Sequence, residues 1–259
     1  MNNLLSLGMP FEDLRTQYTY VAYQQIELGD LLERDFKLLL LPNSQALTQL
    51  EAEQIRKFVA AGGTILADFA VAQRSKHGSW LEKGMLEDVF GFRVLDSKCV
   101  FQKAVLEITD PLGTIMAGSF GEFLAPFEDG LKLTSARPHG VLKVKGKSSP
   151  ALLVNEFGNG RAIYMNFSFS GYGALRVGGF GGEFTEVQRL QAKQGNRIRQ
   201  LARAISTIAG IENQMRWERQ DGSDDYSDVY VYRNGRLTYL GVTPGSYQED
   251  PVDWNKKDD

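Results

Sequence analysis

A thiol hydrolase needs a cysteine on a tight strand-to-helix turn and a histidine able to take its proton, because the thiolate is the nucleophile. The 259 residues hold one cysteine, Cys99, and two histidines, His77 and His139. Cys99 lies between Lys98 and Val100 in an extended run, with Ser97 and Phe101 where a nucleophile turn would place glycines. That context reads as a small hydrophobe rather than a nucleophile. His77 stands beside Gly78 in a polar segment and His139 follows Pro138. Two separated histidines and one thiol make no metal-ligand pattern, so no metal and no cofactor is expected. Asp68 closes an apolar run at the end where doubly wound sheets hold ligands, although an aspartate there also serves to cap the following loop. Asp68, His77 and Tyr172 are the candidate ligand-binding residues, and no catalytic residue is assigned. Glu156 and Glu183 are further acids that no spacing pairs for two-carboxylate chemistry.

Two glycine-rich stretches resemble nucleotide motifs and fail them. Gly140 and Gly146-Lys147-Ser148 are separated by five residues where a phosphate loop has four, so a turn between strands is expected. In Gly171 to Gly182 the third glycine of a dinucleotide fingerprint is replaced by Arg176. Tyr172 and Phe180 in that segment either stack on a sugar or a neighbouring subunit, or anchor the segment to its own core.

The elements that would position these residues begin with strand and helix in alternation. Tyr18 to Ala22 and Phe36 to Leu41 are β-branched, aromatic or apolar runs expected to form core strands. Thr48 with Glu51 forms a capping box, Ala52, Ile55, Phe58 and Val59 recur at helical spacing, and Gly62-Gly63 supplies the helix stop. Thr64 to Ala67 is a third strand ending at Asp68; Gln73 to Ser79 is polar loop, and Leu81 to Phe90 is expected to be helical. From Val94 to Val144 short apolar runs punctuated by Gly and Pro predict antiparallel strands. Gly158-Asn159-Gly160 predicts a hairpin between Ala151 to Asn155 and Arg161 to Asn166. A long amphipathic helix is expected over about 185–208, and Asn234-Gly235 predicts a second hairpin before an acidic tail.

Composition narrows the function classes. With 42% hydrophobic residues the chain buries a substantial core. A balance of 29 basic and 32 acidic residues, net −3, provides no field for nucleic acid or anionic membrane. No apolar run approaches the roughly 20 residues of a membrane span, and no export signal follows Met1. A single cysteine fits a reducing compartment, so the cytoplasm is the expected location.

The stretch Phe36-Lys-Leu-Leu-Leu-Leu-Pro-Asn-Ser-Gln-Ala-Leu-Thr48, followed by Ile55-Arg-Lys-Phe-Val-Ala-Ala-Gly-Gly-Thr-Ile-Leu-Ala-Asp68, resembles the trimerisation domain of family 42 β-galactosidases. Asn155-Glu-Phe-Gly-Asn-Gly-Arg-Ala-Ile-Tyr-Met-Asn-Phe167 is similar to the late hairpin of that domain, and Arg233-Asn-Gly-Arg-Leu-Thr-Tyr-Leu240 to the start of the β-rich region after it. The resemblance implies an α/β fold of flavodoxin-like, class I glutamine-amidotransferase-like type: a doubly wound sheet with an antiparallel β insertion and a C-terminal β-hairpin. It implies a domain over 1–215 with the β-rich insertion at about 94–150, then a β-rich region over 216–259. Such enzymes carry their catalytic acids on a β/α barrel of about 250 residues, for which this chain has no room. The opening Asn2 to Gly8 resembles the end of the domain's first helix, so its first strand is expected to be missing, leaving an edge for a partner to cover. The implied role is a non-catalytic oligomerisation domain of carbohydrate metabolism, its partners a homo-oligomer, such as a trimer, or a glycosidase barrel. The alternatives are a glycosidase fragment and a carbohydrate- or small-ligand-binding module.

Overall fold

The computed structural model describes residues 2–95, 99–169, 172, 195–212, 228–234 and 237–243. In chain order the elements are α1 (Asn2–Asp13), α2 (Tyr23–Leu28), α3 (Asp30–Glu33), β1 (Leu38–Leu41), β2 (Ala46–Leu47), α4 (Gln49–Ala60), β3 (Thr64–Asp68), β4 (Arg74–Ser75), α5 (Glu87–Phe90) and β5 (Phe92–Val94). There follow β6 (Cys99–Ile108), β7 (Gly118–Glu128), β8 (Leu131–Leu133), β9 (Arg137–Val144), β10 (Lys147–Phe157), β11 (Gly160–Met165), α6 (Gly195–Ile208), β12 (Asp228–Asn234) and β13 (Leu237–Thr243).

Seven strands form one mixed sheet in the order β1-β3-β11-β10-β9-β6-β7. β1, β3 and β11 are parallel to one another, with Leu39 opposite Ile65 and Ala162 opposite Ile65 on its other side. From β11 onward every pairing is antiparallel. The fold is therefore α/β, as expected, but its parallel part ends after three strands, and the antiparallel strands continue the same sheet.

Side-chain alternation along the strands divides the core in two. Ile65 and Ala67 of β3, with Ala162 and Tyr164 of β11, join Ala52, Ile55, Phe58 and Val59 of α4 on one face. Leu66, Ile163 and Met165 point the other way and join Leu7 and Phe11 of α1 and Ile198, Leu201 and Ile205 of α6. Helices thus cover both faces. β3 is buried at all five positions, which is why it reads as an uninterrupted apolar run.

Local chemistry fixes the joints. Thr48 caps α4, its Oγ1 accepting from the Glu51 amide while Glu51 accepts from the Thr48 amide at 2.6 Å. Gly62, at φ 120°, turns the chain after α4. Gly160 lies so close to the end of α4 that a Cβ there would stand 2.2 Å from the carbonyl oxygens of Val59 and Gly63. Lys145 and Gly146 both take positive φ and close the β9–β10 hairpin as a two-residue turn, the alternative expected there to a phosphate loop.

Two expected elements differ, and a third is described only in part. Tyr18 to Ala22 is no strand but an irregular segment, and its last residue caps α2: Gln25 accepts from the Ala22 amide and the Ala22 carbonyl accepts from Gln25 and Ile26. Helix over Leu81 to Phe90 is confined to Glu87–Phe90, because the Leu81 amide donates to the Gln73 carbonyl and Trp80 bridges Arg74. The long C-terminal helix is present from Gly195; its expected start at 185–194 lies outside the described residues, as do Gly235, Phe180, Glu183 and most of Gly171 to Gly182.

Candidate functional site

The carboxyl ends of β1 and β3, where open α/β sheets place ligands, carry the largest group of buried polar side chains. Asp68 is 1% exposed and accepts from the Asn43 amide. Burial pushes its carboxyl up to about 6, opposed by the hydrogen bonds from the Asn43 amide and Ser168. The loop that follows is buried from Phe69 to Gln73, and Ala70 and Ala72 within it hold positive φ, a conformation that costs a non-glycine residue about 1 kcal/mol or more. The Ala70 amide donates to the Tyr164 hydroxyl at 3.1 Å, and that hydroxyl donates to Glu128 at 2.7 Å. Asn166 fixes Glu128 further, accepting from its amide and donating to its carbonyl. Burial raises the Glu128 carboxyl, the Tyr164 hydroxyl opposes the rise, and the nearby Glu87 charge adds to it. Burial, then the Glu128 charge, holds the Tyr164 phenol well above its ordinary range. Glu87 accepts from the Gly84 and Val94 amides. These groups face one another rather than solvent; the arrangement locks loop to sheet.

Beyond this layer the chain forms a short hairpin. β4 pairs in parallel with β2, Trp80 bridges back to Arg74, and the Ser75 amide donates to Ser79. Trp80 is 61% exposed, with the Arg74 guanidinium 3.9 Å from its ring centre. Arg74 is itself held by Gln45 and by the Gly78 carbonyl. His77 sits exposed at the hairpin tip.

The three candidate ligand residues are not brought together by hydrogen bonds. Asp68 is buried in the strand-end network and His77 is at the surface. Tyr172 is fully buried in the α1 and α6 core; its hydroxyl donates to Asp13 and accepts from Arg199 at 3.1 Å. That places its ring as an anchor between two helices, with burial raising the phenol. Cys99 opens strand β6 rather than a strand-to-helix turn. Glu156 is exposed on β10 opposite Arg161, and His139 is buried against Asp110 at 3.0 Å. No group of three His, Cys, Asp or Glu side chains is arranged for a metal ion among the described residues. Sequence reasoning missed Glu128, Tyr164 and Asn166, which meet by side-chain hydrogen bonds although β7 and β11 are not neighbours in the sheet, and Trp80, whose sole signal was its place after the polar turn Lys76-His77-Gly78-Ser79.

A family model described as the β-galactosidase trimerisation domain matches residues 29–176. None of the curated proteins matches the chain. Among solved structures, β-galactosidase from Bacillus circulans sp. alkalophilus is 17% identical with a TM-score of 0.69, over 93% of this chain and 31% of that one. The cold-adapted β-galactosidase of Rahnella sp. R3 gives 13% identity and a TM-score of 0.71, over 94% and 31%. A family 42 β-galactosidase of G. stearothermophilus, solved as a catalytic mutant, gives 15% and 0.66, over 93% and 30%. The chain thus spans about a third of the length of these proteins, and at such identities the likeness shows a shared fold.

Proposed function

We propose, because this chain belongs to the β-galactosidase trimerisation domain family, that it acts as a non-catalytic assembly domain in carbohydrate metabolism. It joins copies of itself into a closed oligomer, a trimer by the family's description, or holds a glycosidase barrel in place. The family match from α3 to beyond β11 carries this reading. Supporting it, the polar groups at the strand ends are turned inward on one another, and Cys99 begins a strand instead of a nucleophile turn. Residues 1–215 constitute the domain, of class I glutamine-amidotransferase-like ancestry, with β12 and β13 opening a β-rich region from 216 onward. Helices on both sheet faces favour that ancestry. No helix among the described residues is long and apolar enough to cross a membrane, and the cytoplasm is the proposed setting.

The test is light scattering of the purified chain over a concentration series, with a chromogenic β-galactoside assay on the same sample. A stable closed oligomer without turnover is the expected result. A monomer at every concentration refutes the assembly role for this chain, and turnover refutes the non-catalytic one. A second reading, a small polar ligand at the strand ends, draws on the exposed His77; Asp68 and Tyr172 would have to leave their buried partners to serve it.

A further inference from the structure

We propose that the Arg74–Trp80 hairpin is the grip by which one copy of this chain holds another, docking on the acidic, leucine-bearing face of the partner's α2 and α3. The proposal rests on the assembly reading above and assigns it a surface.

Trp80 is an exposed large aromatic that is nonetheless held still. Its backbone bridges Arg74, and the Arg74 guanidinium stacks on its ring while Nε donates to Gln45 and Nη1 to the Gly78 carbonyl at 2.8 Å. A side chain fixed before contact loses little entropy on docking. Tryptophan and arginine are the residues in which binding energy concentrates at protein interfaces. The hairpin is also of one sign: between Gln73 and Leu81 the ionisable residues are Arg74, Lys76 and His77, with no acid.

The complementary surface lies on the same chain. From Tyr23 to Glu33, helices α2 and α3 carry Glu27, Asp30 and Glu33 and no basic residue. Leu28, the last residue of α2, and Leu32, in α3 beyond the left-handed Gly29, are 79% and 46% exposed. Asp30 is engaged by Gln25 and by Arg34 at 3.8 Å, and Glu27 accepts from Thr48, while Glu33 stands exposed at the end of α3. An indole seated against Leu32, in the same short helix as Glu33, with Lys76 toward Glu33 would satisfy both the apolar and the charged groups. A hairpin on one copy meeting helices on the next is a head-to-tail contact, which closes into a ring when its rotation divides the circle.

The experiment is sedimentation equilibrium on the full 259-residue chain and three variants: Trp80→Ser, Lys76→Glu, and Lys76→Glu combined with Glu33→Lys. The expected result is an oligomeric parent, a dissociation constant raised roughly tenfold or more by Trp80→Ser, a smaller rise for Lys76→Glu, and its reversal in the double variant. Circular dichroism and melting of each variant separate a lost contact from a lost fold. An oligomeric parent whose Trp80→Ser variant assembles equally well overturns the proposal and leaves the assembly reading intact. Weakening by Lys76→Glu that Glu33→Lys does not relieve overturns the choice of α2 and α3 as the docking face. A parent that stays monomeric removes both readings, and a monomeric parent whose tryptophan fluorescence methyl β-galactoside quenches, while that of Trp80→Ser does not respond, makes the hairpin a sugar platform instead.

Discussion

At the scale of single residues, Asp68 bears on stability through its charge and Tyr164 through its hydrogen bonds. The Asp68 carboxyl titrates near 3.8 in an open chain and at about 6 in its buried site. Its unfavourable contribution is absent below the first value and complete above the second, so it lowers stability as pH rises through that window, by about 3 kcal/mol. Asp68→Asn keeps the acceptor for the Asn43 amide and carries no charge. Urea unfolding between pH 4 and 8 should show the variant nearly equal to the parent at pH 4 and more stable at pH 8; parallel profiles would refute the account. Tyr164 acts through its neutral hydroxyl, which serves both the Ala70 amide and the Glu128 carboxyl. Tyr164→Phe leaves a buried amide unpaired and a buried acid short of a donor, at a cost of about 2–4 kcal/mol. Thermal unfolding should show that cost growing as rising pH ionises Glu128, whose carboxyl burial holds above its ordinary range. The sequence exposed Asp68 as the end of an apolar run, but the partner set was unreadable, because Glu128 and Tyr164 are 36 residues apart.

At the scale of elements, turn chemistry was the most legible signal. The capping box at Thr48, the helix end near Gly62 and the hairpin around Gly158 are local agreements between side chains and backbone, and all three are found where they were expected. What the hairpin glycines do beyond turning depended on packing. Gly160 abuts two backbone carbonyls of the α4 terminus, whereas a Cβ at Gly146 would meet nothing within 4 Å, so that glycine is needed for its φ of 80° alone. Gly160→Ala should therefore cost about 3 kcal/mol and Gly146→Ala about 1 kcal/mol, compared by denaturant unfolding. Equal losses would mean that the close approach to α4 relaxes freely. The Tyr18 to Ala22 run shows the limit of propensity: strand-forming residues without a neighbouring strand remain irregular, and only Ala22 is used, to cap α2.

For the whole molecule, two cores separated by one sheet connect the termini of the domain to its centre. α1 and α6 are joined through Tyr172, whose hydroxyl donates to Asp13 and accepts from Arg199. If copies assemble, the melting temperature should rise with protein concentration, because dissociation accompanies unfolding. Calorimetry over a hundredfold range of concentration checks this, and a midpoint independent of concentration counts against obligate assembly.

The sequence by itself determined the α/β class, the β1–α4–β3 unit and the two hairpins, since each rests on spacing or on contacts between residues close along the chain, and it showed the family through the resemblance of whole stretches such as Phe36 to Asp68. Only the tertiary structure decided that the parallel sheet stops at three strands, that Tyr172 is a core anchor, that Asp68 faces a closed polar network and that Trp80 stands exposed on a fixed hairpin. The reason is range: period and capping are written within one turn or one strand, whereas exposure and polar partnership are set by residues that folding brings together from tens of positions away.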